Sequence, residues 1–99
     1  MRARYTSAAR RELEQAIDYL LKHAPHVAAA FADSVDQSVH ELIENPYSAQ
    51  ATDLSGVRRK HIQRFRYTLF YSIEPAIDEL IMLNIRHAAQ RPLSDTQRS

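Results

Sequence analysis

The sequence predicts an α+β domain of order β-α-α-β-β-β, with a helical hairpin packed on a small antiparallel sheet. Two consecutive segments, 7–24 and 25–44, carry apolar residues at spacings of three and four, the signature of an amphipathic helix. From residue 57 to 87 the pattern changes to period two, which marks strands. With 99 residues and a 44% apolar share, there is room for one core.

Residues 1–5, MRARY, read as a short strand, with Ala3 and Tyr5 on one face and Arg2 and Arg4 on the other. Thr6 or Ser7 then supplies an N-cap hydroxyl. The first helical stripe runs through Ala9, Leu13, Ala16, Ile17, Leu20 and Ala24, leaving acids such as Glu12, Glu14 and Asp18 as solvated side chains. Pro25 lacks the amide that would continue this helix but suits the first position of the next. Val27, Phe31, Val35, Val39, Leu42 and Ile43 form the second stripe, which Asn45 and Pro46 end. Residues 47–55 lack periodicity and read as a loop. Three strands follow at about 57–64, 66–74 and 79–87, the last two joined by a turn at Glu74-Pro75-Ala76-Ile77-Asp78.

In the second strand Tyr67, Leu69, Tyr71 and Ile73 alternate and are expected in the core. The last strand is apolar at almost every position, as expected for a central strand covered on both faces. Regular alternation puts Ile81, Leu83 and Ile85 on one side and Leu80, Met82 and Asn84 on the other. The prediction is a single domain over residues 1–99 with a flexible tail from about residue 90.

Charge is segregated although the net is only +1. Glu12, Glu14, Asp18, Asp33, Asp36, Glu41, Glu44 and Asp53 fall in 12–53, whose only lysine or arginine is Lys22. Arg58, Arg59, Lys60, Arg64 and Arg66 fall in 54–73, which holds no acid. The helices are therefore acidic and the sheet basic. Such a sheet is either a solvated face kept soluble by charge or a surface that grips phosphates or acidic side chains, tasks suited to the planar guanidinium. If the first of these strands pairs regularly, Arg59 and His61 share the side of Val57, expected to be the core side, and Arg58 and Lys60 face solvent; the register is expected to break at Arg64-Phe65-Arg66.

Cysteine is absent, so no disulfide or thiolate metal site is available and a reducing cytoplasm is the expected compartment. No apolar run is long enough for a membrane span. His23 and His26 lack an evident third ligand, no phosphate loop exists with Gly56 the only glycine, and no metal or cofactor is expected. His61 and His87 lie near arginines and would titrate in the range used for proton transfer, but packed, hydrogen-bonded histidines are the simpler reading.

The conjunction of several features over most of the chain resembles the ParE/RelE superfamily of type II toxins. These are the Ser7-Ala8-Ala9 entry to a helix bearing Leu13, Ile17 and Tyr19, the Asn45-Pro46 stop, and the Gly56-Val57-Arg58 opening of a strand. Arg64, Tyr67, Tyr71 and Ile73 follow, then Ile85-Arg86-His87 and Gln90-Arg91-Pro92. In the RelE branch, which cleaves messenger RNA on the ribosome, basic side chains settle the scissile phosphate, assisted by a strand arginine and a C-terminal tyrosine or histidine. Thr68 stands where that arginine is expected, and no tyrosine follows Tyr71.

The ending with His87 is similar to the ParE branch, whose members poison DNA gyrase and are held inactive by an antitoxin. The resemblance thus implies a non-enzymatic toxin, with DNA gyrase as target and a cognate antitoxin as partner, and homo-oligomers or hetero-oligomers with the antitoxin are compatible with it. Arg58, Arg59, Lys60, His61, Arg64, Arg66, Arg86, His87 and Arg91 are the expected target- or antitoxin-binding residues. Two alternatives stand beside it. One is a RelE-like endoribonuclease using Arg59, His61, Arg64 and His87; the other is an inactive antitoxin-binding member, suggested by Ala88-Ala89 after His87.

Overall fold

The computed structural model describes residues 1–62 and 64–88; the expected flexible tail, with Gln90-Arg91-Pro92, lies outside them. The elements are β1 (Arg2–Tyr5), α1 (Ser7–His23), α2 (Pro25–Glu44), β2 (Gln50–Ala51), β3 (Arg58–Ile62), β4 (Tyr67–Glu74) and β5 (Glu79–His87), with a 3-10 turn, Pro75–Ile77, between β4 and β5. The fold is α+β: the two helices pack on a mostly antiparallel five-stranded sheet of order β1-β5-β4-β3-β2.

Local chemistry explains the boundaries. The Thr6 hydroxyl accepts from the Ala9 amide at 3.0 Å and donates to the Leu83 carbonyl at 3.0 Å, so one residue caps α1 and ties it to the sheet. Ala24 is the whole connection between the helices: its amide donates to Leu20 and its carbonyl accepts from Val27, while Pro25 opens α2. Gly56 has φ +75°, a left-handed conformation that glycine adopts without steric cost, in the turn where the Val57 amide meets the Leu54 carbonyl.

The core lies between the hairpin and the sheet. Phe31, Val35, Val39 and Leu42 of α2 and Ala9 and Ala16 of α1 meet Ile62, Leu69, Tyr71, Leu80, Met82 and Ile85. Burial of this apolar surface supplies the main driving force. Leu80, Ile81 and Met82 are buried in succession, as expected of a strand covered on both faces.

Four expectations need correction. The segment 47–55 is not wholly loop, because Gln50 and Ala51 pair with Arg59 and Arg58 as the short edge strand β2. The sheet is not uniformly antiparallel, because β1 runs parallel to β5, the hairpin α1-α2 carrying the chain over the sheet before it returns. Alternation along β5 is broken where Phe70 pairs with Asn84 and Tyr71 with Met82. Leu83 is the extra residue of a bulge, so Leu80, Met82 and Ile85 face the core together and the expected grouping of Ile81, Leu83 and Ile85 fails. Finally, the strands expected at about 57–64 and 66–74 are shorter, β3 ending at Ile62 and β4 beginning at Tyr67, while the break expected at Arg64-Phe65-Arg66 is present as a turn.

Candidate functional site

Cross-strand pairs share a face, so the β3–β4 register places the basic side chains. Arg58, Lys60 and Ile62 oppose Tyr71, Leu69 and Tyr67, whereas Arg59 and His61 oppose Phe70 and Thr68. Ile62 is 1% exposed and lies in the core, so Arg58 and Lys60 lie on the helix side and Arg59 and His61 on the opposite face. This reverses the expected assignment. Val57 misleads because it precedes β3, whereas Ile62 within the strand sets the parity.

Each cation on the helix side has an intramolecular task. Arg58 donates to the Ala49 carbonyl at 2.8 Å and its guanidinium lies 5.1 Å from the centre of the Tyr47 ring, pinning the segment after α2 to β3. Beneath it, the Tyr71 hydroxyl donates to the Pro46 carbonyl at 2.7 Å. Burial pushes the Tyr71 phenol above its ordinary value, with the Arg58 charge acting in the other direction. Lys60 pairs with Glu41 of α2 at 3.4 Å. On the far face, Arg59 donates to the Gln50 side chain at 3.3 Å.

The two strand histidines are separated by the sheet. His61 Nδ1 shares a hydrogen bond with Thr68 Oγ1 at 3.0 Å on the far face. His87 opposes Tyr67, with ring centroids 5.0 Å apart in edge-to-face contact on the helix side. A direct proton relay between them is excluded by this placement. Tyr67 also meets Phe31 at 4.8 Å, and its phenol is raised by burial and by Tyr19.

Glu12 is the residue that sequence reasoning misplaced. β1 pairs with β5 only as far as Tyr5 and Met82, leaving the edge of β5 open beyond. Glu12 reaches that edge from α1, its Oε1 accepting from the Ile85 amide at 2.9 Å and the Asn84 side chain at 3.1 Å. Its Oε2 lies 3.3 Å from Arg86 Nε, an ion pair without hydrogen-bond geometry, so that Nε has no hydrogen-bond acceptor among the described residues. Arg86, one of the expected binding residues, is thus held at the sheet edge. The signal was present in sequence: Glu12 is three residues after Ala9 and four before Ala16, both on the buried stripe.

The turn between β3 and β4 divides its residues by role. Phe65 turns inward against Phe31, ring centroids 5.3 Å apart, while Arg64 and Arg66 are exposed. Arg64 has φ 71°, unusual for a residue with a Cβ. The candidate residues thus occupy the far face (Arg59, His61), the turn (Arg64, Arg66), the β5 edge (Arg86) and the helix side (Arg58, Lys60, His87); Arg91 lies outside the described residues. A groove of about 370 Å³ at the β2 side of the sheet is lined by Tyr47, Leu54, Val57, Arg58 and Ile73, among others. Among the described residues no three His, Asp or Glu side chains gather as a metal site, and no helix is long and apolar enough to cross a membrane.

This arrangement of helical hairpin and sheet is the fold of the ParE/RelE toxins. A chain of the chromosomal ParDE system from P. aeruginosa superposes with a TM-score of 0.75 at 19% identity, covering 88% of this chain and 95% of that one. The isolated RelE toxin of E. coli superposes with a TM-score of 0.63 at 12% identity, over 97% and 92% of the respective chains. The RelBE2 toxin-antitoxin complex of Mycobacterium tuberculosis gives 0.58 at 25% identity, over 89% and 91%. No curated protein matches the sequence significantly. Residues 3–92 match the family described as ParE toxin of type II toxin-antitoxin system, parDE. The chain belongs to that family and is a toxin-antitoxin toxin of the ParE branch.

Proposed function

We propose that this toxin acts in the cytoplasm by binding DNA gyrase, without turning over a substrate, and that a cognate antitoxin neutralises it. The single observation that carries the choice between branches is the environment of Thr68. The position expected to bear the RelE-type arginine holds a threonine engaged with His61. The other members of the ribonuclease set are dispersed: Arg59 and His61 on one face, His87 on the other, Arg64 at the turn. General acid-base catalysis on a phosphodiester needs donor, acceptor and cation within hydrogen-bond reach of one another through the substrate, and this distribution disfavours it.

On this reading the whole chain acts as one domain. The groove lined by Tyr47, Leu54, Val57 and Ile73 receives apolar side chains of the antitoxin, while the exposed Arg64 and Arg66 and the far-face Arg59 set register and steer acidic or phosphate-bearing partners. Arg58 serves mainly to shape that groove. Arg86 carries its proposed binding role at the sheet edge and His87 on the helix side; Arg91 is proposed to contribute to the same binding.

The discriminating experiment is a translation extract programmed with a defined messenger. Under this proposal the purified chain leaves ribosome-bound message intact, and expression in cells raises gyrase-dependent cleaved DNA and filamentation. Codon-specific message cleavage would overturn it in favour of the RelE-like alternative. An absence of toxicity in cells, combined with retained antitoxin binding, would favour the inactive binding member.

A further inference from the structure

A second polar site lies away from the β5 edge, where α2 faces the turn between β3 and β4. A cleft of about 240 Å³ is lined by Ser34, Gln37, Ser38, Glu41, Lys60 and Arg64. None of these side chains is apolar. Ser34, Ser38 and Glu41 are spaced by four and three, so they lie along one stripe of α2, and Ser38 is the buried polar residue of the described core, 6% exposed. We infer that this cleft is a binding subsite for a phosphate-type oxyanion.

Charge selects the ligand class. Lys60 and Arg64 outnumber the one carboxylate, Glu41, which excludes a bound cation. Two hydroxyls, an amide, an ammonium and a guanidinium supply donors from both walls, a set suited to an anion presenting several oxygens. Glu41 occupies Lys60 at 3.4 Å, yet its side chain is 56% exposed, so it can move to solvent when a stronger acceptor arrives. It acts as a resident counter-ion that an incoming anion displaces.

The second observation is the backbone of Arg64. Among the described residues only Arg64 and Asp78 combine a side chain with positive φ. Asp78 follows the 3-10 turn, where its amide donates to the Pro75 carbonyl, and aspartate tolerates that conformation. Arginine has no such excuse, and backbone held in a sparsely populated region points to a functional constraint. Here the residue so held lines the cleft together with Ser34, Ser38 and Lys60, and no hydrogen bond or ion pair of its guanidinium is present among the described residues.

The test is a titration of the isotope-labelled full chain with sodium phosphate, followed by amide shifts, against sodium chloride at equal ionic strength. Saturable shifts at Ser34 to Glu41 and at Lys60, absent with chloride, are expected. Arg64→Gly keeps the left-handed turn, because glycine adopts it freely, and should weaken phosphate binding about tenfold, the loss of one charge-assisted hydrogen bond. Glu41→Gln should tighten binding, which a merely structural role for Glu41 does not predict. A short oligothymidylate that displaces phosphate in an Arg64-dependent way makes the source a nucleic-acid backbone, and one that fails to do so makes it the free ion. Shifts no different from those in chloride, or affinity unchanged in both variants, would overturn the inference.

Discussion

Replacing Glu12 by alanine removes the group that closes the open edge of β5. The carboxylate accepts from the Ile85 amide at 2.9 Å and the Asn84 side chain at 3.1 Å, and faces Arg86 at 3.3 Å. The Glu12 and Arg86 side chains are only 21% and 25% exposed, so solvent screens the pair less than a surface pair. Hydrogen bonds to charged groups contribute about 1.5–3 kcal/mol each. With the contacts shared and non-additive, Glu12→Ala should cost about 3 kcal/mol. In a domain of this size that lowers Tm by on the order of 15 °C. Glu12→Gln retains an oxygen for the Ile85 amide and loses only the charge, so about 1 kcal/mol is expected. Urea unfolding of the two variants and of Glu12→Ala/Arg86→Ala checks the account, because the double variant should be more stable than the sum of its parts predicts. A Glu12→Ala protein within about 0.5 kcal/mol of the parent would refute the reasoning, since that is the range of an ordinary surface change.

Tyr71→Phe removes the bond to the Pro46 carbonyl and should cost about 1 kcal/mol, read in the same unfolding assay. Burial raises the phenols of Tyr5, Tyr67 and Tyr71 above the ordinary 10.0. The unfolded chain therefore ionises first, and stability that is full below that value should fall as pH rises through and beyond it, an effect lessened in Tyr71→Phe and visible in alkaline melts. Arg58→Ala should destabilise by about 1–2 kcal/mol through loss of the Ala49 contact and the Tyr47 ring, detected by thermal melting. Arg64→Gly/Arg66→Ala, by contrast, should not reduce stability measurably, yet should weaken antitoxin or gyrase binding and flatten its dependence on salt, measured by calorimetry at several ionic strengths.

The helices were legible because their signals are local: Pro25 at a first position, the Thr6 cap, and apolar stripes that recur at helical spacing. The β4–β5 hairpin was equally plain in Glu74 to Asp78. The faces of the sheet were harder, because parity is a running count that one irregularity resets. The Leu83 bulge reversed the far half of β5, and taking Val57 rather than Ile62 as the marker reversed β3. Such errors matter for a site. They decide that Arg58 is a staple for the segment after α2 rather than a free cation, and that His61 and His87 lie on opposite sides. Glu12 was hidden for a different reason: its partners are the backbone and side chains of residues more than seventy positions away, and the gap it fills exists only because β1 is shorter than β5. The resemblance to ParE toxins carried the family, whereas the positions of the basic side chains had to come from the register.

The central claim, a ParE-type toxin that acts on gyrase by binding, is tested most directly with purified gyrase and relaxed plasmid. The account predicts that the toxin inhibits supercoiling and accumulates cleaved DNA complexes, and that stoichiometric antitoxin reverses both. Unimpaired supercoiling with no cleaved complexes, at a large molar excess of folded toxin, would contradict it.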